Sequence, residues 1–246
     1  MTTDEPGPTE GKGGPNETGG TNDANGPNDT SDTGKTNDTT DTNDTNDTNE
    51  LLEIDVDSHD GSLYRILSSA VVPRPIAWVS TRNADGVDNL APYSFFTVAS
   101  VDPPVLLFAP VDGADGLKDT PRNIRETDEF VVNIVTDGLS DAMNETSATL
   151  PANESEFDHA GIERADSKLI DAPRVADAKI AFECTLRDFL DVGGSTLVLG
   201  DVRYVHLRNS VTTDGKVDVN DVDAIGRLAG SLYARTDDRF GLERPP

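Results

Sequence analysis

The chain is nearly without cysteine: Cys184 is the single one among 246 residues. One thiol excludes an intrachain disulfide and any metal cluster held by several cysteines. No apolar run approaches the roughly 18 residues that a membrane-spanning helix needs. The N-terminus has neither a basic stretch nor an apolar stretch of the secretory type. We therefore expect a cytoplasmic protein without a membrane partner.

Residues 1–50 contain no Val, Ile, Leu, Phe, Tyr or Trp. They consist mainly of Thr, Asn, Asp, Gly and Pro and become repeats of Thr-Asn-Asp between residues 36 and 49. Such a segment buries too little apolar surface to offset the entropy of ordering it, roughly 1 to 2 kcal/mol per residue for the backbone. The sequence predicts a disordered acidic tail over 1–50 and one folded domain over 51–246.

Basic residues are scarce, with 20 Lys and Arg against 46 Asp and Glu and a net charge of -26. The tail accounts for -10 of this charge, so the remainder of the chain is strongly acidic as well. Nucleic-acid binding requires basic patches, and we exclude it. An acidic surface poor in lysine is typical of proteins that work at multimolar salt, where screening removes the repulsion. The charge therefore favours a halophilic protein over an ordinary acidic one.

Several catalytic signatures are missing. Neither GxGxxG nor GxxxxGK[ST] occurs, so Rossmann and P-loop nucleotide sites lack their key residues. HExxH and GxSxG are absent too, and His59, His159 and His206 form no metal-ligand pattern. We expect no metal site and no protein nucleophile. His206 lies in an alternating strand pattern, where a packing role and a functional role both stay open.

Residues 72–96 have the form of a β-hairpin and dominate the interpretation. An apolar run at 76–81 is followed by a turn around Asp85-Gly86 and by a second strand over about 89–95. Small and polar residues interrupt the second strand, in contrast to a strand built only for packing. Asn89, Ala91, Tyr93 and Ser94 suit a wall against a flat ligand; an edge strand of mixed polarity is the alternative.

The remaining pattern predicts few helices and about six to eight strands. Apolar residues at helical spacing over 63–70 predict a short helix, and buried strands are predicted at 105–109 and 130–135. Residues 138–170 suggest helix and irregular loop. Two long strands at 179–190 and 197–207 form a hairpin around Gly193-Gly194. Because strands and helices do not strictly alternate, we expect an antiparallel barrel or sandwich.

A helix start is predicted at residues 118–123, reading KDTPRN. Asp119 or Thr120 would cap free backbone N–H groups, and Pro121 suits the first turn. A helix N-terminus presents a positive dipole end to an anion, and Lys118 adds a charge beside it. The pattern indicates a phosphate site; an ordinary capped helix with a surface lysine remains the alternative.

Several short motifs occur in an order that resembles one family. They are RPIAWVST at 74–81, NLAPYSFF at 89–96, DPP at 102–104, KDT at 118–120 with Asn123, FVVNIV at 130–135, SEF at 155–157, FEC at 182–184, LGDVRYVHL at 199–207 and RLAGSLY at 227–233. The ordered set resembles the flavin reductase-like, FMN-binding split-barrel family, the group of flavoredoxins and flavin:NAD(P)H reductases. It covers the chain from about residue 60 onward.

The resemblance implies a mainly β fold, an antiparallel split β-barrel of Greek-key type with a few short helices. It also implies a homodimer with FMN near the subunit interface. The residues that the resemblance assigns to FMN are Ser80, Thr81, Asn89, Ala91, Tyr93, Ser94, Lys118, Asp119, Thr120, Asn123, Arg227 and Tyr233. His206 matches a position on the nicotinamide side in some members. Ala229 departs from the glycine pair usual at this point.

The implied function is an FMN-dependent oxidoreductase that passes hydride from NAD(P)H to flavin N5, with the flavin carrying the chemistry. Flavin and a nicotinamide nucleotide would be its ligands, and an electron-transfer or monooxygenase protein its partner. One alternative is a flavoredoxin-like electron-transfer protein reduced by a protein partner. Another is a non-catalytic split barrel that binds a different phosphate-bearing ligand or none.

Overall fold

Residues 51–111 and 118–245 are described by the computed structural model of the chain. The predicted disordered tail over 1–50 lies outside these residues. Within them the helices are short, and none is long and apolar enough to cross a bilayer. The helices are α1 (Tyr64–Ala70), α2 (Asp119–Thr127), α3 (Ser140–Glu145), α4 (Glu156–His159) and α5 (Val219–Val222), with 3₁₀ turns at Asp137–Leu139 and Asn209–Val211.

Strands make up most of the regular structure. They are β1 (Arg74–Pro75), β2 (Ala77–Arg82), β3 (Asp88–Tyr93), β4 (Phe96–Val101), β5 (Pro104–Phe108), β6 (Glu129–Ile134), β7 (Arg164–Ala165), β8 (Arg174–Val175), β9 (Ile180–Val192), β10 (Ser195–Leu207), β11 (Thr212–Thr213), β12 (Lys216–Val217), β13 (Ile225–Arg227) and β14 (Tyr233–Arg235). The structure confirms the predicted helix near 63–70 and the predicted strands at 76–81, 89–95, 105–109, 130–135, 179–190 and 197–207, with boundaries shifted by at most two residues. The strands of two or three residues were not predicted.

A seven-stranded antiparallel sheet is the centre of the fold, in the order β3-β2-β6-β9-β10-β5-β4. The two edge strands, β3 and β4, follow each other in the chain. Phe95 lies in the short link between them, and its carbonyl accepts from Ala109 N at 2.8 Å. The prediction of a mainly β, antiparallel fold is confirmed. A second sheet of three short strands, β1-β13-β14, lies where the C-terminal segment returns to the start of the hairpin.

One face of the large sheet encloses an apolar interior. Phe108 packs against Tyr93 in a tilted arrangement and against Phe130 edge-on, with ring centroids 5.1 and 5.5 Å apart. Ala77 and Val79 of β2 join them. Ile124 of α2 is fully buried in the same cluster, so the helix closes one end of the interior. Phe130→Ala would leave a cavity here at a cost of about 3 to 5 kcal/mol.

The other face of the sheet is covered by α3, α4 and their loops. Trp78 packs there with Leu90, Met143 and Phe157, and its Nε1 donates to Thr146 Oγ1 at 2.8 Å. Trp78 is thus fully buried, but on the outer face of the sheet rather than in the interior. The reason is the two-residue period of a strand, which turns Trp78 away from its interior neighbours Ala77 and Val79.

Candidate flavin site

The start of α2 is locked to the β2–β3 hairpin by two side-chain hydrogen bonds. Asn89 Nδ2 donates to Thr120 Oγ1 at 2.8 Å, and Asn123 Nδ2 donates to Thr81 Oγ1 at 3.0 Å. Thr81 and Asn89 are direct cross-strand partners, so both bonds leave from one position of the sheet. All four residues are buried. The pairs therefore fix where the helix begins relative to β3.

Tyr93 extends this buried polar cluster. Burial raises the pKa of the Tyr93 hydroxyl, its hydrogen bond with Thr120 lowers that pKa by less, and the nearby Glu156 and Asp119 carboxylates raise it further. The hydroxyl therefore stays protonated. Five predicted site residues, Thr81, Asn89, Tyr93, Thr120 and Asn123, are thus brought together as mutually bonded, buried side chains, which hold the wall in place.

The predicted cap of α2 differs from the observed one. Lys118 is the N-cap, with extended backbone angles, and no side chain of the described residues caps the helix. Thr120 cannot cap because its hydroxyl faces Asn89, and Asp119 is paired with Arg122. The prediction of an Asp119 or Thr120 cap is therefore wrong. The absence of a side-chain cap favours an anion site, since the first backbone N–H groups of α2 lack an internal acceptor.

Lys118 stands beside these N–H groups as an exposed cation. Among the residues that the structure describes, it has no carboxylate within 4 Å. This set of donors, a lysine and the N-terminus of a nine-residue helix, matches the chemistry of a phosphate group. The residues present therefore fit the phosphate end of the cofactor that the resemblance implies.

Strand β3 is an edge strand of the large sheet in the described chain. Few of its outward-facing backbone N–H groups remain free. Leu90 N donates to Glu156 Oε2 at 2.9 Å, and Pro92 has no N–H to offer. The outward carbonyls of Leu90 and Pro92 remain as acceptors, since no further strand pairs with them. Burial raises the pKa of Glu156, and its backbone hydrogen bonds only partly offset this. The half-buried Ala91 leaves the backbone accessible.

Ser80 and Ser94 lie apart from this cluster. Ser80 points to the outer face, donates to the Pro173 carbonyl at 2.5 Å and accepts from Asn133 Nδ2 at 3.2 Å. Ser94 lies past the end of β3 and accepts from Arg74 Nε at 3.4 Å. The structure therefore does not bring Ser80 to the side of Thr81, and it places Ser94 at the opposite end of β3 from Asn89.

Arg227 and Tyr233 form a unit of their own on β13 and β14. They are direct cross-strand partners, the guanidinium carbon lies 4.6 Å from the ring centroid, and Arg227 Nη1 donates to the Tyr233 hydroxyl. The turn between them explains the departure at Ala229, because the positive φ of 56° falls on Gly230 alone. Alanine is therefore tolerated at 229.

His206 is placed on the outer face of β10. Its Nε2 lies 2.5 Å from Glu183 Oε1, and Glu183 also accepts from the backbone N–H groups of Lys168 and Leu169 at 2.6 and 2.8 Å. Burial alone would raise the pKa of Glu183, but these three hydrogen bonds outweigh it and lower that pKa. Within one chain, His206 is not brought together with the β3–α2 cluster, and its nicotinamide role stays a prediction.

Two residues of this region were missed in the list of site residues. Glu156 caps the edge of β3, and Arg74 contacts Ser94 with its guanidinium, which also lies 5.7 Å from the Phe95 ring centroid. A signal existed for both. Arg74 is the one charged residue in an otherwise apolar run, and Glu156 is the acid of the Ser-Glu-Phe motif.

Residues 68–224 match the sequence model of the family described as flavin reductase like domain. The chain belongs to this family. An uncharacterized protein of Aquifex aeolicus is similar to this flavin reductase-like chain, with 37% identity over 187 residues that cover 75% of the chain and 95% of the relative. The cluster at β3 and α2 lies inside the matched region.

Solved structures give the same result for the fold. Component B of nitrilotriacetate monooxygenase from Bacillus cereus has a TM-score of 0.76 and 34% identity, covering 79% of this chain and all of that one. The 2-nitrobenzoate 2-nitroreductase NbaA from Pseudomonas fluorescens has a TM-score of 0.72 and 34% identity, covering 79% and 96%. The predicted split β-barrel of the flavin reductase-like family is thereby confirmed.

Proposed function

We propose that this flavin reductase-like protein is an FMN-binding oxidoreductase that takes hydride from NAD(P)H. The observation that carries the proposal is the lock between β3 and α2. Asn89–Thr120 and Thr81–Asn123 hold an uncapped helix start and Lys118 against one end of an edge strand, in a chain of this family. An anion-binding end and an accessible strand edge are what a long phosphate-ended cofactor requires.

The residues divide their tasks in this proposal. Lys118 and the backbone N–H groups of Asp119 and Thr120 bind the phosphate. Ala91 and the free edge carbonyls of β3 face the ring system, and the buried cluster keeps wall and helix in register. FMN, when bound, supplies the hydride-accepting chemistry, so no protein nucleophile or general base is required. The protein positions the ligand, excludes water and supplies charge.

A homodimer completes the proposed site. The wall is open in the single chain. A cavity of about 440 Å³ lies beyond Asp88, and Arg164 in its lining is already bonded to Asp88, Asp158 and Ser155. The second edge strand, β4, exposes Val98 and Val101. An edge strand with apolar residues in solvent is a ready surface for a second copy. Light scattering of the purified protein should give twice the 26.2 kDa chain mass.

The similarity to a monooxygenase component favours a partner for the reduced flavin. The Bacillus cereus structure with 34% identity is named as component B of nitrilotriacetate monooxygenase. We extend this to the present chain as a supplier of reduced flavin to an oxygenase of another chain. Reduced flavin released by the protein should support such an oxygenase added in trans.

Anaerobic titration of the FMN-loaded protein with NADH and with NADPH tests the proposal. The flavin absorption near about 450 nm should bleach with one or both nucleotides. If the protein retains FMN, shows no bleaching with either nucleotide and bleaches with a reduced ferredoxin, it is an electron-transfer protein and not a reductase. Absence of FMN binding would exclude both the reductase function and the electron-transfer function. Running the titration at low and at multimolar salt also tests the proposed halophily, which predicts that binding is retained at the higher concentration.

A further inference from the structure

Arg74, Arg227 and Tyr233 form one row across the three-stranded sheet β1-β13-β14. Arg74 is the direct cross-strand partner of Arg227, and Arg227 is the partner of Tyr233, so the three side chains share a face. The two strands approach closely because Gly226 has no side chain: a Cβ there would lie 2.9 Å from Pro73 Cβ. The fold thus makes Arg74 and Arg227 direct neighbours on one face of this sheet.

Neither arginine has a carboxylate within 4 Å among the described residues, although acids outnumber basic residues by 46 to 20 in the chain. Two partly buried arginines do pair with a carboxylate: Arg82 and Arg164 with Asp88, at 2.7 and 2.8 Å. Exposed arginines need no partner because water solvates them. Arg74, however, is only 7% exposed. Arg74 is therefore a buried arginine without a carboxylate partner among the described residues, and its cross-strand neighbour, the half-buried Arg227, also lacks one.

The two side chains differ in how many hydrogen-bond donors they retain. Arg74 donates to the carbonyls of Ser68, Val71 and Leu228 and to Ser94 Oγ, so four of its five N–H groups are used. Arg227 donates only to the Tyr233 hydroxyl and the Gly230 carbonyl. Three N–H groups of Arg227 thus have no acceptor in the described chain, and the side chain is half-buried.

The pairing is unfavourable unless a negative group joins it. Burial lowers the pKa of Arg74, its interaction with Tyr64 raises it by less, and the nearby Arg227 charge lowers it further. Two like charges on neighbouring residues repel, and the repulsion grows as water is excluded. Such an arrangement suits an oxyanion, because the planar guanidinium fork binds phosphate or carboxylate oxygens through two parallel bonds.

We propose that Arg227, supported by Arg74, binds an oxyanion of a second ligand at a site separate from the flavin phosphate site. Arg74 contacts Ser94, whereas Lys118 and Thr120 lie beside Asn89, at the other end of β3. Five residues of strand separate the two ends, or about 17 Å. The location relative to the flavin rests on the proposed function, but the anion site itself does not.

A phosphate group is the ligand that the charge favours. Two adjacent positive charges match a doubly charged phosphate or a pyrophosphate better than a single carboxylate. The phosphates of a nicotinamide nucleotide belong to this class. The carboxylate of a small aromatic acid, with its lower charge, is the alternative ligand. ADP-ribose, inorganic pyrophosphate and benzoate serve as probes, since none of them carries out hydride transfer.

The test measures binding of the three probes by calorimetry to FMN-saturated protein, at one fixed salt concentration. Arg227→Gln should weaken binding of ADP-ribose and pyrophosphate by about ten- to a hundredfold, as expected for lost charge-assisted hydrogen bonds. Arg227→Lys should give an intermediate loss. Arg235→Gln is the matched control, because Arg235 lies on the same hairpin but pairs with Asp137 at 2.8 Å. A larger loss for benzoate than for the phosphates would assign the site to carboxylates.

The FMN dissociation constant of each variant separates the two sites. In this proposal Arg227 serves the second ligand rather than FMN, which departs from the role that the resemblance implies. We therefore expect Arg227→Gln to bind FMN as wild type does, and Lys118→Gln to bind ADP-ribose as wild type does. The proposal is overturned if Arg227→Gln weakens FMN as much as Lys118→Gln, or if all three probes bind it as tightly as they bind wild type. If wild type binds no FMN, the proposed function fails, and ADP-ribose binding to the flavin-free protein still decides the anion site.

Discussion

Ser80 and Thr81 are adjacent hydroxyl residues on β2, and the fold uses them in opposite ways. Ser80 faces outward, where it bonds to the Pro173 carbonyl and to Asn133 beneath a covering loop. Thr81 faces inward and bonds to Asn123, which fixes the helix beside the open edge of β3. We call the first region the sealed side and the second the open side. A polar residue in a strand therefore indicates a ligand site only when neighbouring hydrogen-bonding groups remain free to contact a ligand.

Two buried glutamates repeat the contrast. Glu183, on the sealed side, accepts three hydrogen bonds, and its pKa is lowered although burial acts to raise it. Glu156, at the edge of β3, accepts from Leu90 N, and burial raises its pKa. The hydrogen bonds to Glu183 thus favour its charged form. Glu156 of α4, on the border between the two sides, is easier to protonate than an ordinary carboxyl group.

The largest expected effect is on the sealed side. Glu183→Ala leaves two backbone N–H groups and His206 without their acceptor, which should lower the free energy of unfolding by about 3 kcal/mol or more. Urea denaturation measures this. FMN affinity of the folded fraction should stay at the wild-type value. A stable variant with weakened FMN binding would place Glu183 in the site and reverse the comparison.

The second effect is on the open side and should spare stability. Lys118→Gln removes a charge-assisted hydrogen bond to phosphate and should weaken FMN binding by about 1.5 to 3 kcal/mol. Fluorescence titration of FMN gives the dissociation constants. Lys216→Gln is the control, because Lys216 is an exposed lysine on the distant strand β12. Equal affinities for the Lys118 variant and the control would remove Lys118 from the site.

A smaller effect distinguishes the adjacent hydroxyls. Ser80→Ala and Thr81→Ala each remove a buried hydrogen bond and should each cost about 1 kcal/mol of stability. Only Thr81→Ala should also weaken FMN binding, because it loosens the contact that positions α2. Parallel denaturation and FMN titrations of the two variants measure both quantities. Weaker FMN binding by Ser80→Ala alone would show that the sealed side contacts the ligand.

The smallest effect is the pH dependence of stability. The pKa of Glu183 is lowered by folding, so its stabilising contribution is present above the ordinary glutamate pKa and is lost as pH falls through the folded value. The pKa of Glu156 is raised, so its contribution is greatest below the ordinary value and is lost as pH rises through the folded one.

Glutamine variants of Glu183 and Glu156 separate the two opposite pH dependences of stability. Near neutral pH, Glu183→Gln should be less stable than wild type, whereas Glu156→Gln should match or exceed it, since its amide oxygen can still accept from Leu90 N. Denaturation between about pH 4 and pH 8 compares them. Destabilisation of both variants by the same amount at neutral pH would contradict the assigned directions.

The sequence predicted the hairpin, the long strands and the start of α2 because each has a local signal: apolar runs, turn residues and a proline in a first helical turn. It failed where contacts distant in sequence decide. Thr120 gives up a capping role because Asn89, 31 residues away, donates to it. Ser80 is excluded from the open side by the carbonyl of Pro173, 93 residues away. No local pattern contains either contact.

Residue periodicity held information that was not used. Ser80 and Thr81 were both assigned to one ligand, although adjacent residues of a strand point to opposite faces. The three-stranded sheet β1-β13-β14 was beyond prediction, because its strands have two or three residues and pair across the length of the domain. The environment of Arg74 depends on that sheet, which is why its role is visible only in the structure.

Hydrogen exchange with and without FMN tests most directly whether the open side binds the flavin. The account predicts that FMN slows exchange of backbone amides over residues 88–95 and 118–122, and leaves residues 166–175 and 180–183 of the sealed side unchanged. Slower exchange confined to the sealed side, or no change at the start of α2 at saturating FMN, would contradict the account.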